Sequence, residues 1–95
     1  MRLIDHVIAG GTGGVTPARK SPVFDPNTGA VQAEVALGDA AMLDRAVAAA
    51  QAAQPAWAAT NPQRRARVMF NFKALVEANM DELAHMLSAE HGKVI

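Results

Sequence analysis

The sequence predicts an α+β fold in which short strands and turns precede about three α-helices. Up to residue 38, glycine and proline alternate with short apolar runs, a pattern typical of β-hairpins. Beyond that point, apolar residues recur at steps of three and four, which is the period of an amphipathic helix. The change of period divides the chain into strands and turns over residues 1–38 and helices over residues 39–95.

The first hairpin is predicted around the glycine run Gly10–Gly14, between Val7–Ala9 and Val15–Thr16. A loop this rich in glycine accepts the positive backbone angles that a hairpin needs. A phosphate-binding loop is the alternative, but it requires a helix directly behind the glycines. Pro17 disfavours helix in the residue before it, so the hairpin is the better interpretation.

The second hairpin is predicted at Asp25–Gly29, between Val23–Phe24 and a strand over Val31–Leu37. Asp can accept a bond from the amide two residues on, proline fixes its own φ, and Gly29 can take a left-handed exit. Apolar side chains alternate with polar ones along the strand, as they do in a half-buried strand. The apolar face comprises Val31, Ala33, Val35 and Leu37, opposite Gln32 and Glu34.

The helical half contains three amphipathic stretches. Asp39 is the predicted N-cap of a helix from about Ala40 to Trp57, and Asn61 caps a second helix that has Pro62 at its first position. A third helix runs over Met80–His91, and Gly92 ends it. The stripes predicted to be buried are Leu43, Val47, Ala50, Gln54 and Trp57, with Ala46, Ala49 and Ala53 beside them; Val68, Phe72, Leu75 and Val76; and Leu83, Ala84 and Leu87.

Three arginines, Arg64, Arg65 and Arg67, lie in the first turns of the second helix, where the helix dipole disfavours cations. They could bind an anion at the helix N-terminus, or they could pair with carboxylates of a larger protein or simply be solvated. The structural interpretation is preferred, because nothing else in the sequence indicates an anion.

The sequence contains no spacing of residues that indicates a metal site or a catalytic site. Glu82 and His85 stand three apart, as in carboxylate-bridged metal sites, but such a site needs a second pair of this kind and the chain has none. His6 and His91 add no ligand spacing, and the neighbouring carboxylates Asp81 and Glu82 point in different directions. No nucleophile elbow occurs, so we predict no catalytic, cofactor-binding or metal-binding residue in this chain.

The composition limits which binding partners and which cellular location we expect for the protein. Acidic and basic residues are equal in number, so we expect no binding to nucleic acid or to an anionic membrane. The first residues lack the apolar core of a signal peptide, and the chain has no cysteine; both observations favour the cytoplasm. No stretch is apolar enough to predict a membrane span.

Five segments, in order, resemble the beginning of an aldehyde dehydrogenase, and most closely the coenzyme A-acylating methylmalonate-semialdehyde dehydrogenases. They are Val7–Gly11, Phe24–Gly29, Ala46–Trp57, Arg64–Ala66 and Glu90–Lys93. Gly13 and Gly14 depart from the resemblance, since relatives often carry bulkier residues there.

The resemblance implies a parent enzyme that oxidises methylmalonate or malonate semialdehyde with NAD. The acyl group then passes from a catalytic cysteine to coenzyme A, with loss of carbon dioxide. This chain has no cysteine, so it is expected to be inactive alone. The resemblance also implies that the cofactor-binding elements lie beyond Ile95, so the chain is expected to bind neither NAD nor coenzyme A and to serve as scaffold for the remainder of the dehydrogenase chain. The alternative is a free-standing small helical interaction module. For the dehydrogenase segment, the apolar stripes that later parts of the parent would cover also predict that the chain alone forms a homo-oligomer.

Overall fold

The computed structural model describes all 95 residues and contains five strands followed by three helices. The strands are β1 (Arg2–Ile4), β2 (Val7–Ile8), β3 (Gly11–Thr12), β4 (Arg19–Phe24) and β5 (Val31–Leu37), and the helices are α1 (Ala40–Ala59), α2 (Pro62–Ala78) and α3 (Met80–His91). The predicted α+β class and the order of strands and helices are confirmed.

The larger sheet has three strands in the order β1-β5-β4, with β5 in the centre. β1 runs parallel to β5 and β4 runs antiparallel to it. The turn at Asp25–Gly29 joins β4 to β5 as predicted: the Asn27 amide donates to the Asp25 carboxylate at 2.8 Å, and Gly29 has a φ of 75°. A cross-strand ion pair between Lys20 and Glu34, at 3.1 Å, supports the same two strands.

The first hairpin is real, but its second strand lies earlier than predicted. β2 pairs with β3 at Gly11–Thr12, and Val15–Thr16 is not a strand. Ala9 and Gly10 both have positive φ, 52° and 78°, as the central residues of a tight type I′ turn do. The chain therefore reverses within two residues, so that Gly10 lies in the turn and Gly11 begins the returning strand.

The helix boundaries follow the capping residues. Asp39 accepts a hydrogen bond from the Met42 amide at 2.8 Å, and Asn61 accepts one from the Arg64 amide at 2.9 Å. Gly92 ends α3 with a φ of 83°. Each of these three boundaries was predicted from local sequence, because capping needs only a short side chain or a left-handed residue at the right place.

Replacing Asn61 by alanine should lower the free energy of unfolding by about 0.5–2 kcal/mol, because the Arg64 amide loses its acceptor. Urea unfolding followed by circular dichroism measures this. Asn71→Ala, at an exposed position within the same helix, is the control and should be neutral or slightly stabilising. Equal losses for both variants would mean that the cap contributes nothing.

The chain has almost no core. Only Gly13, Ala33 and Ala36 are buried, and none of the three helices contains a buried residue. The prediction that the helical stripes are buried is therefore wrong for this chain. The physical reason is the shape: the smallest of the extents, 48 × 35 × 16 Å, leaves little depth for the second layer that a core requires.

Two side-chain hydrogen bonds join the strand half to the helical half. Arg45 of α1 donates to the Gly13 carbonyl, and Gln32 of β5 donates to the Ala89 carbonyl of α3 at 2.8 Å. None of the helices is both long enough and apolar enough to cross a membrane.

Candidate functional site

The most extensive candidate feature is a set of exposed apolar side chains distributed over all three helices. Its large members, each between 42% and 64% exposed, are Leu43, Val47, Trp57, Val68, Phe72, Leu75, Leu83 and Leu87. We call these eight residues the helical apolar surface. Single exposed apolar residues are ordinary, but a series along successive helices is typical of a surface that another element covers.

A second feature is the junction between the β2–β3 hairpin and α1. The Asp5 carboxylate accepts from the His6 amide at 2.7 Å and from the Gly13 amide at 3.2 Å. The Gly13 carbonyl in turn accepts from the Arg45 guanidinium. Gly13 is therefore held by both its amide and its carbonyl, and this fixes the hairpin against the start of α1.

The same junction borders a cleft of about 220 Å³. Its charged lining residues are Asp5, Asp39 and Arg45, with His6 beside them. Asp5 bonds two amides, Asp39 caps α1, and Arg45 bonds Gly13. These groups hold the backbone, so the cleft offers no convergent set of free polar groups of the kind that orients a ligand.

The glycine run does not form a phosphate site. Gly10 lies in the hairpin turn, Gly11 in β3 and Gly13 at the junction, and the next element along the chain is the strand β4. Without a helix behind the glycines, no N-terminal amides point at an anion. The glycine run therefore does not fit the pyrophosphate of a dinucleotide.

The three arginines begin α2, as predicted, and none of them forms an ion pair. At this helix end the Arg64 amide already donates a hydrogen bond to the Asn61 side chain, so it is not free for an anion. Arg65 is partly buried, and its Nε atom is buried without a hydrogen-bond partner. Arg65 thus stands out among the three as a donor that lacks an acceptor.

The other titratable candidates are dispersed. Glu82 lines a surface depression with Glu77 and Asp81, whereas His85 lines a different one with Arg2 and Gln32. Nowhere do three His, Asp or Glu side chains come close enough to hold a metal ion. His6 borders the cleft at the hairpin junction and His91 lies in the last turn of α3, so the structure does not bring the histidines together.

The family is decided by the extent of a sequence match. The model of the aldehyde dehydrogenase family matches residues 15–95, which is most of the chain. The chain belongs to the aldehyde dehydrogenase family. The resemblance inferred from five short segments is thereby confirmed, and the strands and helices described above are those of an aldehyde dehydrogenase segment.

Individual aldehyde dehydrogenases agree with this assignment. The chain is 43% identical over 77 residues to a malonate-semialdehyde dehydrogenase of Pseudomonas aeruginosa, a match that covers 81% of this chain and 16% of the relative. It is also similar to the crystal structure of a protein from Sinorhizobium meliloti, described as a methylmalonate-semialdehyde dehydrogenase complexed with NAD. That match has a TM-score of 0.91 and 54% identity, and covers 96% of this chain and 18% of the other.

A methylmalonate-semialdehyde dehydrogenase from Oceanimonas doudoroffii gives the same TM-score of 0.91 at 38% identity, again over 96% of this chain and 18% of the other. The chain thus spans less than a fifth of the length of the aldehyde dehydrogenases it matches.

The residues that connect the two halves of this aldehyde dehydrogenase segment were missed by sequence reasoning. Arg45 and Gln32 donate to carbonyl groups 32 and 57 residues away in the other half, and Asp5 supports the first of these contacts by accepting from the Gly13 amide within the strand half. No local motif predicts these bonds. The one signal in the sequence was Gly13, which departs from the resemblance because relatives often carry a bulkier residue there. A Cβ atom there would lie 2.8 Å from Oδ1 of Asp5, so only glycine fits without displacing the carboxylate.

Proposed function

We propose that this chain is the N-terminal segment of an NAD-dependent, coenzyme A-acylating methylmalonate- or malonate-semialdehyde dehydrogenase. Within that enzyme it acts as scaffold and is inactive alone. The parent reaction is the oxidation of the semialdehyde by NAD, followed by decarboxylating acyl transfer from a cysteine thioester to coenzyme A. Family membership and the names of the relatives support this substrate class.

The observation that carries the scaffold role is the helical apolar surface. Burying a large apolar side chain stabilises a protein by roughly 1.5–3 kcal/mol, so eight such residues exposed together represent substantial unused stabilisation. The relatives are about six times as long as the matched segment, which supports the remainder of the parent as the element that covers it.

The chemistry would belong to that remainder. This chain has no cysteine to form the thioester, and its glycine run does not fit a dinucleotide. NAD would supply the hydride acceptor in the parent. The part played by this chain is to hold the adjoining elements of the parent in place through its apolar helices.

A chimera tests the proposal. In the Pseudomonas aeruginosa malonate-semialdehyde dehydrogenase, the matching segment is replaced by that of this chain, and NADH formation is followed with malonate semialdehyde and coenzyme A. We expect the chimera to be active and the 95-residue chain alone to show no turnover above a protein-free control. Turnover by the pure chain alone would overturn the scaffold role.

Charged residues placed in the helical apolar surface test whether that surface is buried in the parent enzyme or stays exposed. Leu83→Asp together with Leu87→Asp should abolish folding and activity of the chimera, since a charge would be buried without a partner. Glu90→Gln, at an exposed position on the same helix, is the control and should leave the chimera active. A chimera indifferent to the aspartates would show that the surface stays exposed, as a free-standing interaction module requires.

A further inference from the structure

The C-terminal end of α3 lies against the turn between β4 and β5. The side-chain amide of Gln32, near the start of β5, donates to the Ala89 carbonyl of α3 at 2.8 Å and to the Phe24 carbonyl at the end of β4 at 3.2 Å. On the same turn, the Pro26 ring approaches Gly92, where an added Cβ atom would lie 3.3 Å from Cγ of the proline. Two contacts of different kinds therefore join this turn to the end of one helix.

The hydrogen bond from Gln32 satisfies a group that the helix itself leaves unpaired. The last four carbonyls of an α-helix have no amide partner within the helix, and in α3 these begin at Ser88. The Ser88 carbonyl accepts from the Gly92 amide at 2.8 Å, whereas the Ala89 carbonyl accepts from Gln32. Gln32 therefore caps the C-terminal end of α3 from a position 57 residues earlier in the chain.

The residues that follow α3 are held in one direction. Gly92 has a φ of 83°, in the left-handed region that favours glycine, so the chain turns sharply as it leaves the helix. The Ser88 hydroxyl donates to the Lys93 carbonyl at 2.6 Å and holds the chain after this turn. The path from Ala89 to Lys93 is thus fixed by bonds at both of its ends and by the contact with Pro26 between them.

We propose that Pro26 and Gln32 form a clasp that docks the end of α3, at Ala89 and Gly92, on the β4–β5 turn. The clasp joins two of the five segments that resemble aldehyde dehydrogenases, Phe24–Gly29 and Glu90–Lys93. It uses residues of this chain alone, so its existence does not depend on the proposed function. Its consequence for the parent does rest on that function: where the polypeptide continues after α3, the clasp sets the direction in which it leaves the helix.

Amide hydrogen exchange at Gly92 tests the clasp in the 95-residue chain. Gln32→Met keeps a side chain of similar length but has no donor, so the Ala89 carbonyl loses its partner. Exchange at Gly92 should become roughly 2- to 12-fold faster, the range that corresponds to the loss of one hydrogen bond. Gln51→Met, at an exposed position on α1, is the matched control and should leave the rate unchanged.

Exchange at Asp25 separates the clasp from the turn itself. The Asp25 amide donates to the Ala30 carbonyl at 2.7 Å within the turn, and Gln32→Met should change its rate less than that of Gly92. Equal acceleration at Asp25 and Gly92 would mean that Gln32 supports only the turn. That result would overturn the clasp while leaving the proposed function untouched, since the measurement involves no part of the parent enzyme.

A double variant shows whether the two contacts act together. Pro26→Ala removes the ring that contacts Gly92 and should also accelerate exchange there. The combined variant should exchange more slowly than the product of the two single effects, because the loss of one contact already frees the end of α3 from the other. An unprotected Gly92 in the unmodified chain, an unchanged rate in Gln32→Met, or single effects that multiply independently would each contradict the proposal.

Discussion

Replacing Gly13 by alanine should detach the β2–β3 hairpin from α1. The added Cβ atom would lie 2.8 Å from Oδ1 of Asp5, a distance that carbon and oxygen do not tolerate, so the carboxylate must move. The Asp5 bond to the Gly13 amide is then lost, and the Arg45 bond to the Gly13 carbonyl is disturbed with it. We expect a loss of about 1–3 kcal/mol, the usual cost of leaving a buried polar group without its partner.

Amide hydrogen exchange at His6 measures this loss locally, because that amide also donates to the Asp5 carboxylate. Exchange should become roughly 5- to 150-fold faster, which corresponds to ~1–3 kcal/mol. Gly11→Ala is the matched control in the same hairpin. A Cβ atom there meets only the Ile8 carbonyl oxygen at 3.7 Å, an ordinary contact, so exchange at His6 should stay unchanged. Equal effects from both alanines would contradict the assigned role of Gly13.

Local structure could be predicted from the sequence because its causes are local. Asp39 and Asn61 cap their helices through an amide three residues on, and Asp25 closes its turn through an amide two residues on. Gly92 ends α3 because the left-handed conformation favours glycine there. In each case one residue type at one position suffices, whatever the rest of the molecule does.

The hairpin register and the bonds between the two halves could not be predicted in this way. A run of four glycines in five residues allows several tight turns, and propensity alone does not decide which residues reverse the chain. The contact between Gln32 and Ala89 spans 57 residues, and the one between Arg45 and Gly13 spans 32. Such pairs depend on how the elements pack, which no short motif encodes.

Helical periodicity does not predict whether the apolar side of a helix is buried within this chain. It correctly identifies which side of each helix is apolar, but it does not say what covers that side. Leu75 and Leu87 lie on predicted stripes and are 64% and 62% exposed in this chain. An amphipathic pattern is therefore evidence for burial in the working protein, and burial within this chain does not follow from it.

Trp57 should respond very differently to truncation in the chain alone and in the chimera with the Pseudomonas aeruginosa relative. In this chain it is 45% exposed, although the sequence predicted a packed residue. Trp57→Ala should therefore cost the isolated chain only ~1 kcal/mol, about half of what full burial of an apolar side chain contributes. If the remainder of the parent covers the helical apolar surface, the same change should cost the chimera ~3–5 kcal/mol.

Urea unfolding of both proteins gives the two losses, and tryptophan fluorescence of the unmodified chain alone should show a solvent-exposed, red-shifted emission. Trp57→Phe is the control: it keeps an aromatic ring at the site and should recover most of the stability of the chimera. Equal small losses in chain and chimera would mean that no later part of the enzyme packs on α1 at Trp57. That result would remove this end of α1 from the proposed scaffold, because a scaffolding helix must lose more when its partner is present than when it is absent.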